Sequence, residues 1–153
     1  MKSTFRKIKI FFAVVILSLS INTLAVAQCK SVVKEGIKKL TPYTHNGQIN
    51  SATMKEGKSV EIHLSFYKGL YYKLQICSEK SVGKISFRVL DENKKEVYNS
   101  DTEDKADFWN FFSNSAQDLV VELKSSSDKS KGGCVAVLVG MQVPRSNNPI
   151  RNL

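Results

Sequence analysis

Apolar and polar side chains alternate with a period of two along most of the chain after residue 53. In residues 60–66, for example, Val, Ile, Leu and Phe alternate with Glu, His and Ser. This alternation indicates a β-strand with one buried and one solvated face. Similar stretches follow, separated by polar or glycine-containing turns. They predict further strands at residues 72–76, 85–89, 97–98, 108–112, 119–123 and 134–140.

Six or seven short strands separated by turn signals are typical of an antiparallel β-sandwich. We therefore expect an all-β domain over residues 44–143. An Asn-Gly pair within residues 43–50 predicts a turn rather than a strand there. Residues 125–133 are predicted to form a polar loop before the last strand. Residues 144–153 contain two prolines and three asparagines and are predicted to be a flexible tail.

Before the strands, apolar positions recur every four residues. Cys29, Val33 and Ile37 fall on one face of a short helix, which we expect to lie as a cover on the sheet. The residue before Pro42 avoids the helical conformation, so the helix ends ahead of it. Residues 28–43 are therefore predicted to be an N-terminal helix and linker. The opposite face of the helix carries Lys30, Lys34 and Lys38.

Residues 1–27 carry the three features of a cleavable signal peptide in the right order. A basic start without acids precedes an apolar run at residues 10–17, and a small-x-small tripeptide ends at Ala27. The run is too short to cross a hydrocarbon core of about 30 Å as a helix. We therefore expect a secreted or periplasmic protein that begins at Gln28 and has no membrane span after cleavage. Lipoprotein signals favour a small residue before the modified cysteine, so Gln28 argues against lipid on Cys29.

The formal charge of +9 overstates the charge of the mature chain. Four of the 23 basic residues leave with the signal peptide, so 19 basic and 14 acidic residues give +5. These charges are scattered and form no cluster larger than a Lys-Lys pair. Nucleic-acid binding requires a concentrated basic footprint, and export argues against it as well. We expect no nucleic-acid partner.

Three cysteines remain after cleavage: Cys29, Cys77 and Cys134. In an oxidising compartment they predict one disulfide and one odd thiol. Cys77 ends one predicted strand and Cys134 begins another, so the two are close if those strands are antiparallel neighbours. We therefore predict a Cys77–Cys134 disulfide. Pairing of Cys29 with either of the others is the alternative, and it would attach the helix to the sheet.

Several segments together carry a resemblance to a known family. Residues 54–142 resemble bacterial pre-peptidase C-terminal domains, which are small jelly-roll sandwiches attached to secreted enzymes. The resemblance implies a jelly-roll arrangement of the strands and transfers no functional residues. It rests on residues 69–76, on Val-Leu-Asp at 89–91 with the polar turn after it, on residues 119–123, and on the Gly-Gly pair at 132–133.

Candidate catalytic and metal-binding chemistry is sparse. One acidic loop offers oxygen ligands of the kind that calcium prefers, but it lacks the EF-hand spacing and contains Lys105. His45 and His63 are far apart, and the chain has no CxxC pair and no GxSxG elbow. We expect a solvated loop, no metal, no cofactor and no catalytic residue. The acidic residues of the loop are Asp101, Glu103, Asp104 and Asp107.

The aromatic run at residues 108–112 is the most unusual local feature. On a strand, Phe108 and Phe112 lie on one face, whereas Trp109 and Phe111 lie on the other. One set must be core, and the other set is either an exposed platform for a sugar or a partner, or buried as well. Speculative ligand-binding residues are therefore Trp109, Phe111 and Tyr71.

These observations favour a non-catalytic binding or structural module that acts outside the cytoplasm. Its partner would be an extracellular or cell-surface protein or a glycan. Two alternatives remain open, a glycan-binding module that uses exposed aromatic residues and a small secreted enzyme. An enzyme would require a deep pocket with convergent titratable groups, for example around His63.

The signal sequence yields a direct prediction. The exported protein is expected to have the mass of a chain that begins at Gln28 without a lipid, which intact-mass spectrometry measures. A diacylglyceryl group on Cys29 would contradict both the cleavage site and a lipid-free mature protein.

Overall fold

The computed structural model describes residues 24–103, 105–125 and 131–144. Most of the predicted signal peptide and tail lie outside these residues. Within them, no helix is long and apolar enough to cross a membrane. One helix and eight strands follow in chain order: α1 (Leu24–Lys38), β1 (Thr44–Met54), β2 (Ser59–Phe66), β3 (Tyr71–Ser78), β4 (Ile85–Leu90), β5 (Glu96–Asn99), β6 (Phe108–Phe112), β7 (Gln117–Ser125) and β8 (Gly133–Gln142).

The strands form two four-stranded sheets packed face to face. Their orders are β1-β8-β3-β6 and β2-β7-β4-β5, and every pairing is antiparallel. This order is that of a jelly roll, in which two Greek keys close a sandwich. The predicted all-β, jelly-roll-like sandwich with a short N-terminal helix is confirmed. Inward-facing side chains of both sheets, such as Leu64, Leu74 and Val121, fill one core.

Strand β8 is buried on both faces, which explains its unbroken apolar sequence. Val135, Val137 and Val139 point into the sandwich core. The alternate residues Ala136 and Leu138 point the other way and form a second small core with Val33 of α1 and with Leu40, which follows the helix. The predicted cover helix therefore lies on the sheet through Val33 of the predicted face, whereas Ile37 of the same face is 39% exposed.

Strand β1 was missed by the sequence-based prediction of a turn at residues 43–50. The Asn-Gly pair lies at an irregularity of the β1–β8 pairing between His45 and Ile49. Gly47 has a φ of 85°, and the Asn46 side chain accepts a hydrogen bond from the Gln48 amide at 2.9 Å. The Asn-Gly pair therefore marks a bulge within a strand and not a turn between strands, because a glycine with positive φ fits either feature.

The predicted Cys77–Cys134 disulfide is wrong. The structure links Cys29 to Cys134 with a Cα–Cα distance of 5.4 Å, and Cys77 is a free thiol. Strands β3 and β8 are antiparallel neighbours, as the prediction assumed, but the register pairs Cys77 with Ala136. Cys134 lies two residues away, where its carbonyl accepts a hydrogen bond from the Glu79 amide at 2.9 Å. Its side chain therefore meets the helix above the sheet rather than the strand beside it.

Reduction of Cys29–Cys134 is expected to lower the free energy of unfolding by about 2–5 kcal/mol, because the bond closes a loop with a sequence separation of 105. Urea unfolding of a Cys77→Ala variant, with and without reductant, measures the change and prevents disulfide exchange. An unchanged unfolding midpoint after complete reduction would contradict this expectation.

Candidate binding groove beside helix α1

Helix α1 approaches the sheet closely because residue 36 is a glycine. A Cβ at this position would overlap Sγ of Cys77 and would lie 2.5 Å from Cδ1 of Leu138. Glycine weakens an isolated helix by about 1 kcal/mol relative to alanine. Here that cost is offset by the contact with β3 and β8, which a larger side chain would prevent. The disulfide and Gly36 together fix the position of α1 over the sheet.

The helix is too narrow to cover the whole outer face of its sheet. It packs mainly on β8 and β3. A helix with its side chains is about 10 Å wide, whereas four strands spaced about 4.8 Å apart span roughly 15–19 Å. About one strand on each side is therefore left uncovered. On the β1 side the uncovered outer residues are Ile49, Ser51 and Thr53.

A groove of about 790 Å³ runs between α1 and β1. Its helix side contains Val33 and Ile37, and its strand side contains Ile49, Ser51, Ala52 and Thr53. Ile49 is 60% exposed and Ile37 is 39% exposed, so a large apolar side chain is accessible to solvent on each side of the groove. We call this feature the α1–β1 groove.

The rim of the α1–β1 groove is basic. Lys30, Lys34 and Lys38 line it from the helix and are exposed, and no acidic residue lines it among those that the structure describes. Lys38 forms an ion pair with Glu35 at 2.8 Å. Lys30 and Lys34 form no ion pair with a described residue. The sequence predicts that these lysines face solvent, and in the structure they also border the apolar α1–β1 groove.

A second cavity of about 480 Å³ lies on the other side of α1 and has mixed charge. Lys39 and Asp107 pair across it at 2.8 Å, and this hydrogen bond raises the pKa of Lys39. Cys77 lies in the same cavity. Burial raises the pKa of its thiol from the ordinary 9.0 to about 11, against a smaller opposite effect of Lys39.

The structure does not bring the three predicted ligand-binding residues together. Trp109 and Phe111 lie on the core-facing side of β6 and stack on each other at 4.3 Å, and Trp109 also stacks on Tyr98 at 5.1 Å. They therefore belong to the inner set of the aromatic run. Tyr71 lies on the outer face of the sheet, next to Phe112 at 4.8 Å.

The acidic loop provides no cluster for calcium among the described residues, and Asp104 lies outside them. Asp107 is instead paired with Lys39, and Asp101 lines a different cavity beside Arg88. His63 is exposed on β2, as the alternation indicates. It borders a cavity of about 630 Å³ that has no acidic lining residue among those described.

Comparisons with known proteins do not identify a family. No protein-family model matches the sequence, and no curated protein is significantly similar to it. Among solved structures, the fold is similar to that of PliG from Aeromonas hydrophila, a periplasmic lysozyme inhibitor of g-type lysozyme. The identity is 9%, the match covers 66% of this chain and 89% of that chain, and the TM-score is 0.47.

The thiol of Cys77 is expected to be unreactive in the folded protein. A pKa near 11 instead of 9.0 leaves about 100-fold less thiolate at pH 8, so alkylation by iodoacetamide should be slower by at least about that factor than in denaturant. Because the folded state holds the proton more tightly, its contribution to stability is constant below pH 9 and is lost as the pH rises from 9 to 11. Mass spectrometry of labelled protein between pH 7 and 11 measures the rate. Equal rates in folded and unfolded protein would contradict the assignment.

Proposed function

We propose that this chain is a non-catalytic binding module that acts outside the cytoplasm and docks a partner protein in the α1–β1 groove. The groove itself is the observation that carries the proposal. Ile37 and Ile49 line its two sides while remaining exposed. Apolar surface with a polar rim on a small domain is typical of an interaction site.

The covalent structure supports a location outside the cytoplasm. The Cys29–Cys134 bond holds the helix on the sheet, and disulfides persist in oxidising compartments. The predicted cleavage after Ala27 would leave this bond in the mature chain, since Cys29 follows the cleavage site by two residues. The predicted signal peptide and the disulfide thus support the same location.

The cavities formed by the described residues favour binding over catalysis. The nucleophile candidate Cys77 is held as a thiol, and no histidine lines its cavity to act as a base. His63 has no acidic neighbour in the cavity that it borders. Neither arrangement assembles a nucleophile with an oriented base.

A glycan is the second candidate ligand, and a different surface favours it. Tyr71 and Phe112 are 44% and 40% exposed on the outer face of β3 and β6. Exposed Asn110 lies on the same face and offers an amide for hydrogen bonding. The two rings are tilted by 53° and do not form one flat platform, so we rank this surface second.

Site-specific photo-crosslinking tests the proposal. A benzophenone amino acid is placed at Ile49, at Phe112 or at Val97, and the protein is exported by the cells that produce it. Val97 is an exposed apolar residue on β5, in the other sheet, and is the matched control. We expect a discrete protein adduct from position 49 that is absent from position 97.

The other outcomes are equally informative. A carbohydrate-bearing adduct from position 112 alone would replace the proposal with the glycan candidate. No adduct from any position, or the same adducts from all three, would contradict docking in the groove.

A further inference from the structure

We infer that the α1–β1 groove receives an acidic amphipathic helix of a partner protein, an inference that rests on the proposed function. The groove already has one wall made of a helix, and its floor is the outer face of a strand. Two helices pack with their axes about 8–10 Å apart. A second helix beside α1 would therefore cover β1, the strand that α1 leaves open.

The lysines select for a row of acids rather than a single anion. Lys30, Lys34 and Lys38 recur at every fourth residue, so their Cα atoms are about 6 Å apart along the axis and span about 12 Å. One carboxylate of a fatty acid or other amphiphile cannot reach all of them. A helix with Glu or Asp at every fourth residue presents charges at the same spacing. Its apolar face would then lie on Ile37 and Ile49.

The irregular edge of β1 argues against an extended peptide as the occupant. β1 is an edge strand, so its outer edge is available in principle for strand addition. The register shift between His45 and Ile49 breaks the regular spacing of its backbone groups. Bulges of this kind protect sheet edges from pairing. The exposed apolar residue Ile49 also lies on the face of the strand, where a helix packs.

Charge also argues against the two terminal segments of this chain as occupants. Residues 1–23 contain Lys2, Arg6, Lys7 and Lys9 and no acid, and residues 145–153 contain two arginines and no acid. Both would place positive charge against the lysines of the rim. A second copy would bring the same basic rim to the groove and has a net positive charge. An acidic partner is the occupant that the rim complements.

Peptide binding to the full mature protein tests the inference. The probe is a synthetic amphipathic helix of about 15 residues with leucines on one face and Glu at three positions spaced by four. A second peptide carries Lys at those positions. Binding is followed by fluorescence anisotropy, and methyl NMR locates it through the signals of Val33, Ile37 and Ile49. We expect the Glu peptide to bind at least about tenfold more tightly than the Lys peptide, with methyl shifts confined to the groove.

Matched variants separate specific from general attraction. Lys30→Glu/Lys34→Glu is expected to weaken binding of the Glu peptide about tenfold or more. Lys55→Glu/Lys58→Glu makes the same change in net charge at exposed residues that do not line the groove, and should change affinity less than about twofold. Ile49→Ser should weaken binding, whereas Val97→Ser should not. These substitutions are all on the surface, so the folded state is retained.

In the peptide experiment, three results would overturn the inference. They are equal affinity for the two peptides, equal effects of the two charge reversals, and displacement of the peptide by dodecanoate that depends on Lys30 and Lys34. The last result would assign the groove to a small anionic amphiphile. A protein adduct from position 49 whose partner peptide lacks acids would overturn this inference while leaving the proposed function intact.

Discussion

The structure depends on the close packing of α1 against β8. This contact buries the outer face of a strand whose inner face already lies in the sandwich core, so β8 requires apolar residues at successive positions. Gly36 provides the space for it, and the bond between Cys29 and Cys134 keeps the helix from moving away. The helix has only one strongly apolar stripe and is too short to be stable alone. The helix α1 is therefore stabilised by its packing on the sheet.

The same contact decides which surfaces remain open. Because the helix lies on β8 and β3, it leaves the outer faces of the two edge strands β1 and β6 uncovered. The β1 side is apolar with a basic rim, whereas the β6 side carries an aromatic pair. On the β6 side, Lys73 lies over the ring of Phe108 at 4.7 Å and donates to the carbonyl of Lys39, so its charge is already used within the protein. Lys30 and Lys34 form no ion pair with a described residue, and they make the β1 side the more open to an anionic partner.

The environment of Cys77 explains how a thiol and a disulfide coexist on one face of the sheet. Cys77 and Cys134 are on neighbouring strands, two residues out of register. Exchange requires a thiolate, and burial under the helix disfavours that form. The closeness of α1 therefore protects the pairing that holds α1 in place. Because its thiol stays protonated at neutral pH, Cys77 behaves as a small apolar side chain.

The sequence by itself determined the fold class, since period-two alternation and turn signals indicate a sandwich wherever one face of each strand is buried. It also determined the helix, the last strand at residues 134–140 and the exposure of His63. It did not determine the polar edge strand β1, because an edge strand with little burial has a weak pattern and its Asn-Gly bulge resembles a turn. Long-range strand pairing sets the register of β3 and β8, and this register makes Cys29 rather than Cys77 the disulfide partner of Cys134. Long-range pairing also decides which side of β6 faces the core. The sequence could not predict the α1–β1 groove either. Ile37 and Ile49 are separated in sequence, and only the tertiary placement of α1 brings them to one groove.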